Sequence, residues 1–479
     1  MKMWSSFCLM SKVIVGIKQL LECPLTWILG VFFLITSWPF VGFPLTDGDV
    51  SHWVPWAQEI ASHGNPLSAK SDQSHGPLLA WGTALFIRFF SLNYYVLNVF
   101  NLLCGLGCVG LVYAIAHKIG PTTGRFPLLA GVFAATNFMM VYLSRTPMYD
   151  LPAAFGFTLF CYAYAVYLTF GHRKWLAVAL LGLGLGSLSR FIIVIALSCF
   201  FVLIMQFLNR QQGAGNRWAL SAHSGWIRTT VVHVCFIFGT AFLISVPWLW
   251  VQHAHHEGFL EFFIYDNFFR FLGDEKGVSR DYYGFLLITF IGLIPMTPVL
   301  VAGLSKSMWE KWGKSPIAHV ALAASVPCLL FFSFSGHTKL VRYIAYIFPS
   351  LLLLSGHIYV TCISDPVYRK RMAYWYYGLL TVVSTILAVY ALQFSQEAQQ
   401  SVLFVVASIV LLLGLVGSGL VFLVYRYASF MQQPFRYVAV CAVFYLFFFT
   451  VLVMEYTAVP FLFQVRDMID AALTGPPHG

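Results

Sequence analysis

Apolar stretches long enough to cross a membrane recur from one end of the 479-residue chain to the other, separated by short polar or basic segments. They fall near 24–45, 93–116, 127–143, 151–170, 176–188, 190–208, 229–250, 283–304, 317–335, 343–361, 373–393, 402–424 and 438–458. Roughly 20 apolar residues in a helix cross a bilayer core. Lipid offers no partner to backbone polar groups, so these runs are expected to be helices. The period-two alternation of an outer-membrane barrel is not seen. The pattern therefore predicts an all-α polytopic membrane protein with about 13 transmembrane helices, organised as one transmembrane domain over 1–479. The two short runs beside Arg190 can also be read as one bent span. The first run, Pro24 to Leu45, is long and lacks a small-residue cleavage pattern, which marks it as a span and not a signal peptide.

Two segments between runs are longer than the rest, 46–92 and 251–282, and both mix acids with aromatics. Long loops on a rigid scaffold are where function concentrates. In the first, Trp53, Trp56 and Ile60 recur at helical spacing, with His52, Glu59 and His63 on another side. This spacing predicts a short interfacial helix, capped by Ser51, whose apolar face lies in lipid and whose tryptophans act as surface anchors. Pro55 is tolerable in its early turns. The longest stretch on the opposite side, about 209–228, is rich in Gly, Ser, Asn and Gln and reads as a connector. Only about 20 residues follow the last run, so no separate soluble domain is expected.

Composition agrees with a membrane chain: 59% hydrophobic, 18% aromatic, 10% charged, with a mean hydropathy of +0.78. The net charge of +10 invites a nucleic-acid reading, but the distribution of charge argues against it. With the N-terminus in the cytoplasm, the inner side holds 18 of the 28 basic residues and only Glu22, Glu310 and Asp365 among the acids. That asymmetry is the positive-inside pattern. The excess positive charge orients the chain in a membrane, and no nucleic-acid partner is expected. Seven of the ten cysteines fall in runs, and the longer outer segments hold none, so no disulfide framework is implied.

Charge at membrane depth is costly and marks candidate sites. Five places stand out, all on the outer side: Asp47 with Asp49; Asp150, where two runs meet; Arg190, between two short apolar halves; Asp266 to Arg270; and Lys339 with Arg342. The carboxylates can polarise a hydroxyl, and the arginines and lysine can hold a phosphate. A sugar carried on a lipid phosphate needs that combination. Its leaving group is already a phosphate, so cations can replace protonation while a carboxylate serves the acceptor hydroxyl in an inverting displacement. His253, His255, His256 and Glu257 form a cluster whose spacing matches no standard metal site, so neither a metal nor another cofactor is expected.

The order Asp49, Trp53, Trp56-Ala57-Gln58, Gly64, then Ser74-His75-Gly76-Pro77-Leu78-Leu79-Ala80-Trp81 resembles the first outer loop of the C-type (GT-C) polyprenyl-phosphate glycosyltransferases. These include protein O-mannosyltransferases and the aminoarabinose transferase that modifies lipid A. Met148-Tyr149-Asp150-Leu151-Pro152 resembles their second acidic motif, and Gly184 to Phe191 resembles a Gly-rich stretch in which Arg190 stands where Lys is usual. Val246-Pro247-Trp248, Asn267 to Phe271, and Phe332 to Pro349 resemble later blocks. The resemblance runs over about 25–350. The chain departs from the pattern at Val50, where a second acid is usual, and at Gly76, where Pro is usual; a shift of two residues would make Asp47 the catalytic acid.

The resemblance implies a GT-C fold and transfer of a sugar from a polyprenyl-phosphate donor to a glycolipid, glycan or protein acceptor, at the outer face of a bacterial inner membrane. Asp49 or Asp47, with Asp150, would be catalytic, and His75, Arg190, Arg270, Lys339 and Arg342 would bind the donor phosphate. The rival class is a transporter or flippase for a lipid-linked glycan. A carrier would tend to show internal repeats with polar groups near the bilayer midplane, whereas here the polar groups cluster on one side.

Overall fold

The computed structural model describes residues 23–37, 50–67, 75–120, 125–211, 226–269, 284–294, 296–334, 341–372, 374, 375 and 378. Among the described residues the regular elements are all helical. They are α1 (Pro24–Ser37), α2 (Val50–His63), α3 (Leu78–Phe90), α4 (Tyr94–Ile119), α5 (Arg125–Ala135), α6 (Phe138–Arg145), α7 (Asp150–Phe170), α8 (Arg173–Ser187), α9 (Phe191–Gln211) and α10 (Trp226–His255). After these come α11 (Phe259–Ile264), a π-helical turn at Tyr265–Phe269, α12 (Gly284–Gly292), α13 (Thr297–Gly303), α14 (Lys306–Trp312), α15 (Pro316–Phe334), a 3-10 turn at Val341–Tyr346 and α16 (Phe348–Cys362).

By length and composition α4, α7, α9, α10 and α15 can each cross a membrane, and the bent pairs α5–α6 and α12–α13 raise the number to seven among the described residues. The chain is a multi-pass membrane protein. The runs expected beyond residue 378 lie outside the described residues. Local chemistry places several breaks. Asn137 caps α6 by accepting from the Met140 N–H at 3.1 Å, and its own amide donates to the Gly292 carbonyl at 2.9 Å, which ties α6 to the end of α12. The break before it bends α5–α6 by 51°.

The tightest packing joins α7 to α8. These helices form a hairpin closed by Gly171 in the left-handed region, φ 74°. A Cβ at Gly156 would sit 2.4 Å from the Gly186 nitrogen, and one at Gly182 would sit 2.7 Å from the Phe160 nitrogen. No side chain fits at that separation, so the Gly-rich sequence of α8 is what allows its backbone to lie on α7. The chain reverses again at 188–190 into α9. Arg190 therefore sits in a turn between two separate helices, which replaces the alternative of one bent span. The α7–α8 hairpin returns the chain to the end of the bundle where α7 begins, and α9 starts from there and runs back along α7.

Two further expectations are corrected. The run drawn at 343–361 does not begin as an α-helix: Val341–Tyr346 is a 3-10 turn, and α16 starts at Phe348 with Pro349 in its first turn, where a residue lacking an N–H is well placed. The helix expected after Val50 exists, but its tryptophans do not face lipid. Trp53 and Trp56 are fully buried, in a second core shared with Leu79 and Ala80 of α3, Tyr149, Trp248, Phe259 and Phe263. The physical reason is α3, which supplies a protein surface for that face to cover; His52, Glu59 and His63 are exposed as expected. Ser51 lies inside this helix, one residue after its start at Val50.

The basic end of the bundle is distinct. Lys118 lies over the Phe170 ring at 5.1 Å, and Arg173 and Lys174 open α8 just after the Gly171 turn. Lys311 pairs with Asp365, and hydrogen bonding to that ammonium holds the Asp365 carboxyl below its ordinary range. Asp150 begins α7 and Phe170 ends it, so a 21-residue helix, about 30 Å long, separates this end from Asp150.

Candidate functional site

Asp150 is the first residue of α7 and is fully buried. The N-terminus of a helix favours an anion, and two cations complete its surroundings. Arg190 Nη2 donates to Oδ2 at 3.2 Å, and Arg342 Nε lies 3.6 Å from the same oxygen. The Asp150 side chain is 1% exposed, that of Arg190 8% and that of Arg342 11%. Oδ1 of Asp150 is buried and takes no hydrogen bond from the described residues. Arg190 also reaches the other way: its Nη1 lies 3.0 Å from Nε2 of His75 and 3.2 Å from Nδ1. One guanidinium thus bridges a carboxylate and an imidazole.

Backbone geometry explains why residues so far apart in sequence meet. The segment carrying His75 lies along the α8–α9 turn: the Gly76 N–H donates to the Ser189 carbonyl at 3.2 Å and the Leu78 N–H to the Leu188 carbonyl at 3.0 Å. A Cβ on residue 76 would fall 2.0 Å from the Leu188 oxygen, so glycine is what permits the approach. Ser189 Oγ donates to the Tyr149 carbonyl at 2.7 Å, fixing the turn to the start of α7. From the other side Asn101 of α4 donates to the Met148 carbonyl at 3.1 Å. Arg342 arrives from the 3-10 turn, which packs against α7 through the Phe157–Tyr346 ring contact at 6.4 Å.

Aromatic rings wall the cations. The Arg190 guanidinium carbon lies 5.9 Å from the Tyr149 centroid and 5.8 Å from that of Tyr343; Arg342 lies 5.9 Å from Tyr343. Such contacts stabilise a desolvated cation. Tyr343 stacks on Phe332 at 5.6 Å and 13°, and His75 meets Tyr149 edge-on at 4.8 Å. The Tyr346 hydroxyl is buried and has no hydrogen-bond partner among the described residues. The second core, with Trp53 and Trp248, adjoins this wall through Tyr149.

Of the eight residues singled out from sequence, Asp150, His75, Arg190 and Arg342 come together in one cluster. Asp47, Asp49, Arg270 and Lys339 lie outside the described residues. The tyrosines at 149, 343 and 346 and the Ser189 anchor escaped the sequence reading. A usable signal was present: Tyr149 and Tyr343 each sit directly beside a charged residue already under suspicion. His253, His255 and Glu257 are exposed, and among the described residues no three His, Cys, Asp or Glu side chains converge on a common point. The cluster combines one carboxylate, two guanidiniums and an imidazole. Two guanidiniums and an imidazole are groups able to hold an anion of phosphate type, and one carboxylate oxygen is left able to accept from a hydroxyl.

Residues 75–263 match the family model for dolichyl-phosphate-mannose-protein mannosyltransferases. The chain is 30% identical over 157 residues to an undecaprenyl phosphate-alpha-4-amino-4-deoxy-L-arabinose arabinosyl transferase from Pseudomonas paraeruginosa, a match covering 33% of this chain and 28% of the relative. It is 28% identical over 155 residues to a second such transferase from Proteus mirabilis, covering 32% and 28%. These matches thus span less than a third of each relative's length. In structure the chain resembles ArnT from Cupriavidus metallidurans bound to undecaprenyl phosphate, with a TM-score of 0.68 and 16% identity over 90% of this chain and 76% of that one. The apo form of the same protein gives 0.63 and 17%, over 93% and 77%. The chain shares the fold of that GT-C protein, as its sequence motifs implied.

Proposed function

We propose that this chain is a glycosyltransferase that moves a sugar from a polyprenyl-phosphate donor to an acceptor, inverting the anomeric centre. The observation that carries the reading is the cluster of His75 and Arg342 around the buried pair Asp150 and Arg190, at the end of the bundle opposite the basic residues. Arg190 and Arg342 bind the donor phosphate and stabilise the charge that develops as it leaves. Asp150 holds the two guanidiniums together and offers Oδ1 to a hydroxyl. Asp49 serves as base or acceptor-orienting acid, with Asp47 as its alternative two residues earlier. Lys339 and Arg270 complete the phosphate clamp. The relatives' names, which specify undecaprenyl phosphate and aminoarabinose, support a donor of that class.

The membrane is a bacterial inner membrane, and the cluster faces outward. The support is charge asymmetry: Lys118, Arg173 and Lys174 sit at the far end of α7 from Asp150, and basic residues mark the cytoplasmic side. Cysteine-accessibility labelling at engineered positions 70 and 213 tests this. Label should reach 70 from outside and spare 213; the reverse would place the cluster in the cytoplasm. The acceptor is a glycolipid, a glycan or a protein hydroxyl of the envelope. The decisive experiment is transfer from a synthetic polyprenyl-phosphate sugar by purified protein, paired with mass analysis of envelope glycans with and without the gene. Transfer with loss of one glycan species supports the reading. Movement of the lipid-linked sugar across liposomes without transfer would replace the enzyme by a carrier.

A further inference from the structure

The link between α6 and α7 is irregular backbone inside the protein. Residues 143–150 are all buried, so the carbonyls of that link are out of reach of bulk water and must find partners in the protein. Each flanking helix provides for its own end. At the close of α6 the Thr146 N–H donates to the Leu143 carbonyl at 3.4 Å and the Thr146 hydroxyl to the Tyr142 carbonyl at 2.9 Å. At the opening of α7 the Ala153 N–H donates to the Tyr149 carbonyl at 3.2 Å. The carbonyls of Thr146 and Met148 fall between the two helices.

One side chain serves both. Asn101 of α4 is fully buried, and its Nδ2 donates to the Met148 carbonyl at 3.1 Å and to the Thr146 carbonyl. An amide nitrogen carries two hydrogens, so it can satisfy two acceptors. The same contacts fix which end of the amide is nitrogen, since the reverse orientation would set an oxygen against two carbonyls. The sequence explains why Met148 needs this help. Continued backwards, the ladder of α7 would pair the Met148 carbonyl with the N–H of residue 152, four positions on. Residue 152 is a proline in the first turn of α7 and has no N–H. The Asn101 amide supplies the donor that is missing there.

Asp150 lies two residues beyond the Met148 carbonyl. Its carboxylate meets Arg190 Nη2 at 3.2 Å and Arg342 Nε at 3.6 Å, cations carried by two other elements. Those distances hold only while the start of α7 is fixed against its neighbours. Ser189 fixes the Tyr149 carbonyl from the α8–α9 turn. Asn101 fixes the link from α4, a helix that contributes none of the charged groups of the cluster.

We propose that Asn101 is a positioning residue for Asp150: by taking the donor role that Pro152 cannot fill, it sets where α7 begins and so where the carboxylate stands between Arg190 and Arg342. It acts through the backbone of the link. The proposal rests on the reading that Asp150 serves sugar transfer.

The test is a cycle of variants of the full-length protein in detergent, with turnover of a synthetic polyprenyl-phosphate sugar as the readout. Asn101→Ala should lower turnover by at least about tenfold, since a small misplacement of a reacting group is costly. In an Asp150→Asn background the same change should cost little more, because the carboxylate it places is already gone. A residue that only held the fold together would cost the same factor in both backgrounds. Pro152→Ala restores an N–H at the position that could pair with Met148, and should recover part of the turnover lost in Asn101→Ala. Should Asn101→Ala not fold, Asn101→Asp carries the same cycle: it matches the parent in size but offers at most one donor, and should keep more activity than a variant with none. Parental turnover in the Asn101 variants, equal factors in both backgrounds, or no recovery with Pro152→Ala would each overturn the proposal. Parental turnover in Asp150→Asn alone is a different result: it would sink the underlying reading of Asp150, and the proposal with it.

Discussion

Arg190 and Asp150 form a buried ion pair, Nη2 to Oδ2 at 3.2 Å, while the opposite nitrogen of the same guanidinium engages His75. The planar fork of arginine makes both contacts at once. Arg190→Ala should therefore lower donor binding and turnover by roughly tenfold to a hundredfold, since a lost hydrogen bond to a charged group costs about 1.5–3 kcal/mol. Arg190→Lys keeps the charge but reaches only one partner, and should fall between parent and Ala. Asp150→Asn leaves Arg190 and Arg342 facing a neutral amide and should be at least as harmful as Arg190→Ala. Donor binding and turnover with each purified variant measure this. Parent-like values in both Arg190 variants would remove the clamp from the mechanism.

Much of this arrangement was legible in the sequence, for a physical reason. A charge such as Arg190 or Asp150 inside an apolar stretch is expensive, so its presence announces a partner without naming it. The partner was not legible. That Arg190 lies between Asp150 and His75 depends on two hairpins, α7–α8 and α8–α9, whose close packing rests on glycines that mean nothing until the helices are paired. The lipid-facing reading of Trp53 and Trp56 failed for a related reason. Helical spacing defines an apolar face but not what covers it, and α3, in a segment read only as a loop, turned out to be the cover.

Trp53 offers a test of that second core. It is fully buried, and its indole N–H has no hydrogen-bond partner among the described residues. Trp53→Ala removes a large buried side chain and should destabilise the protein by about 3–5 kcal/mol. Trp53→Phe loses no hydrogen bond, keeps an aromatic body and should cost much less. Thermal stability in detergent, with unfolding followed at several scan rates, distinguishes them. An equal loss in both variants would mean that the indole N–H has a partner in the working protein.

Asp49 and Asp47 precede α2, whose packing on α3 places it beside the start of α7. Asn matches Asp in size but takes no proton. Asp49→Asn should reduce transfer by about 10²–10⁴-fold, the range for a positioned acid–base group, with donor binding near that of the parent. Asp47→Asn should be milder. Transfer from a synthetic donor, at matched expression, decides between them. The opposite ranking would put the catalytic register two residues earlier, and full activity in both would leave the first-loop acids outside the chemistry.

Gly76 separates positioning from chemistry, because it carries no reactive group at all. Its backbone N–H binds the Ser189 carbonyl at 3.2 Å, and a Cβ there would meet the Leu188 oxygen at 2.0 Å. That oxygen belongs to the backbone of a tight turn braced by Ser189 and Tyr149, so it cannot yield as a side-chain tip would. Gly76→Ala must push the His75 segment off the turn, moving the imidazole away from Arg190 while Asp150 and Arg342 stay in place. Turnover should fall by at least about tenfold, since near-ångström misplacement of a catalytic group is costly. Gly76→Pro should be worse, because it also deletes the N–H that Ser189 accepts. A double variant identifies the cause. If Gly76 acts by placing His75, Gly76→Ala and His75→Gln should weaken donor binding alike, and the double variant should be no worse than either single one. Additive losses would mean that Gly76 shapes the turn without governing the imidazole.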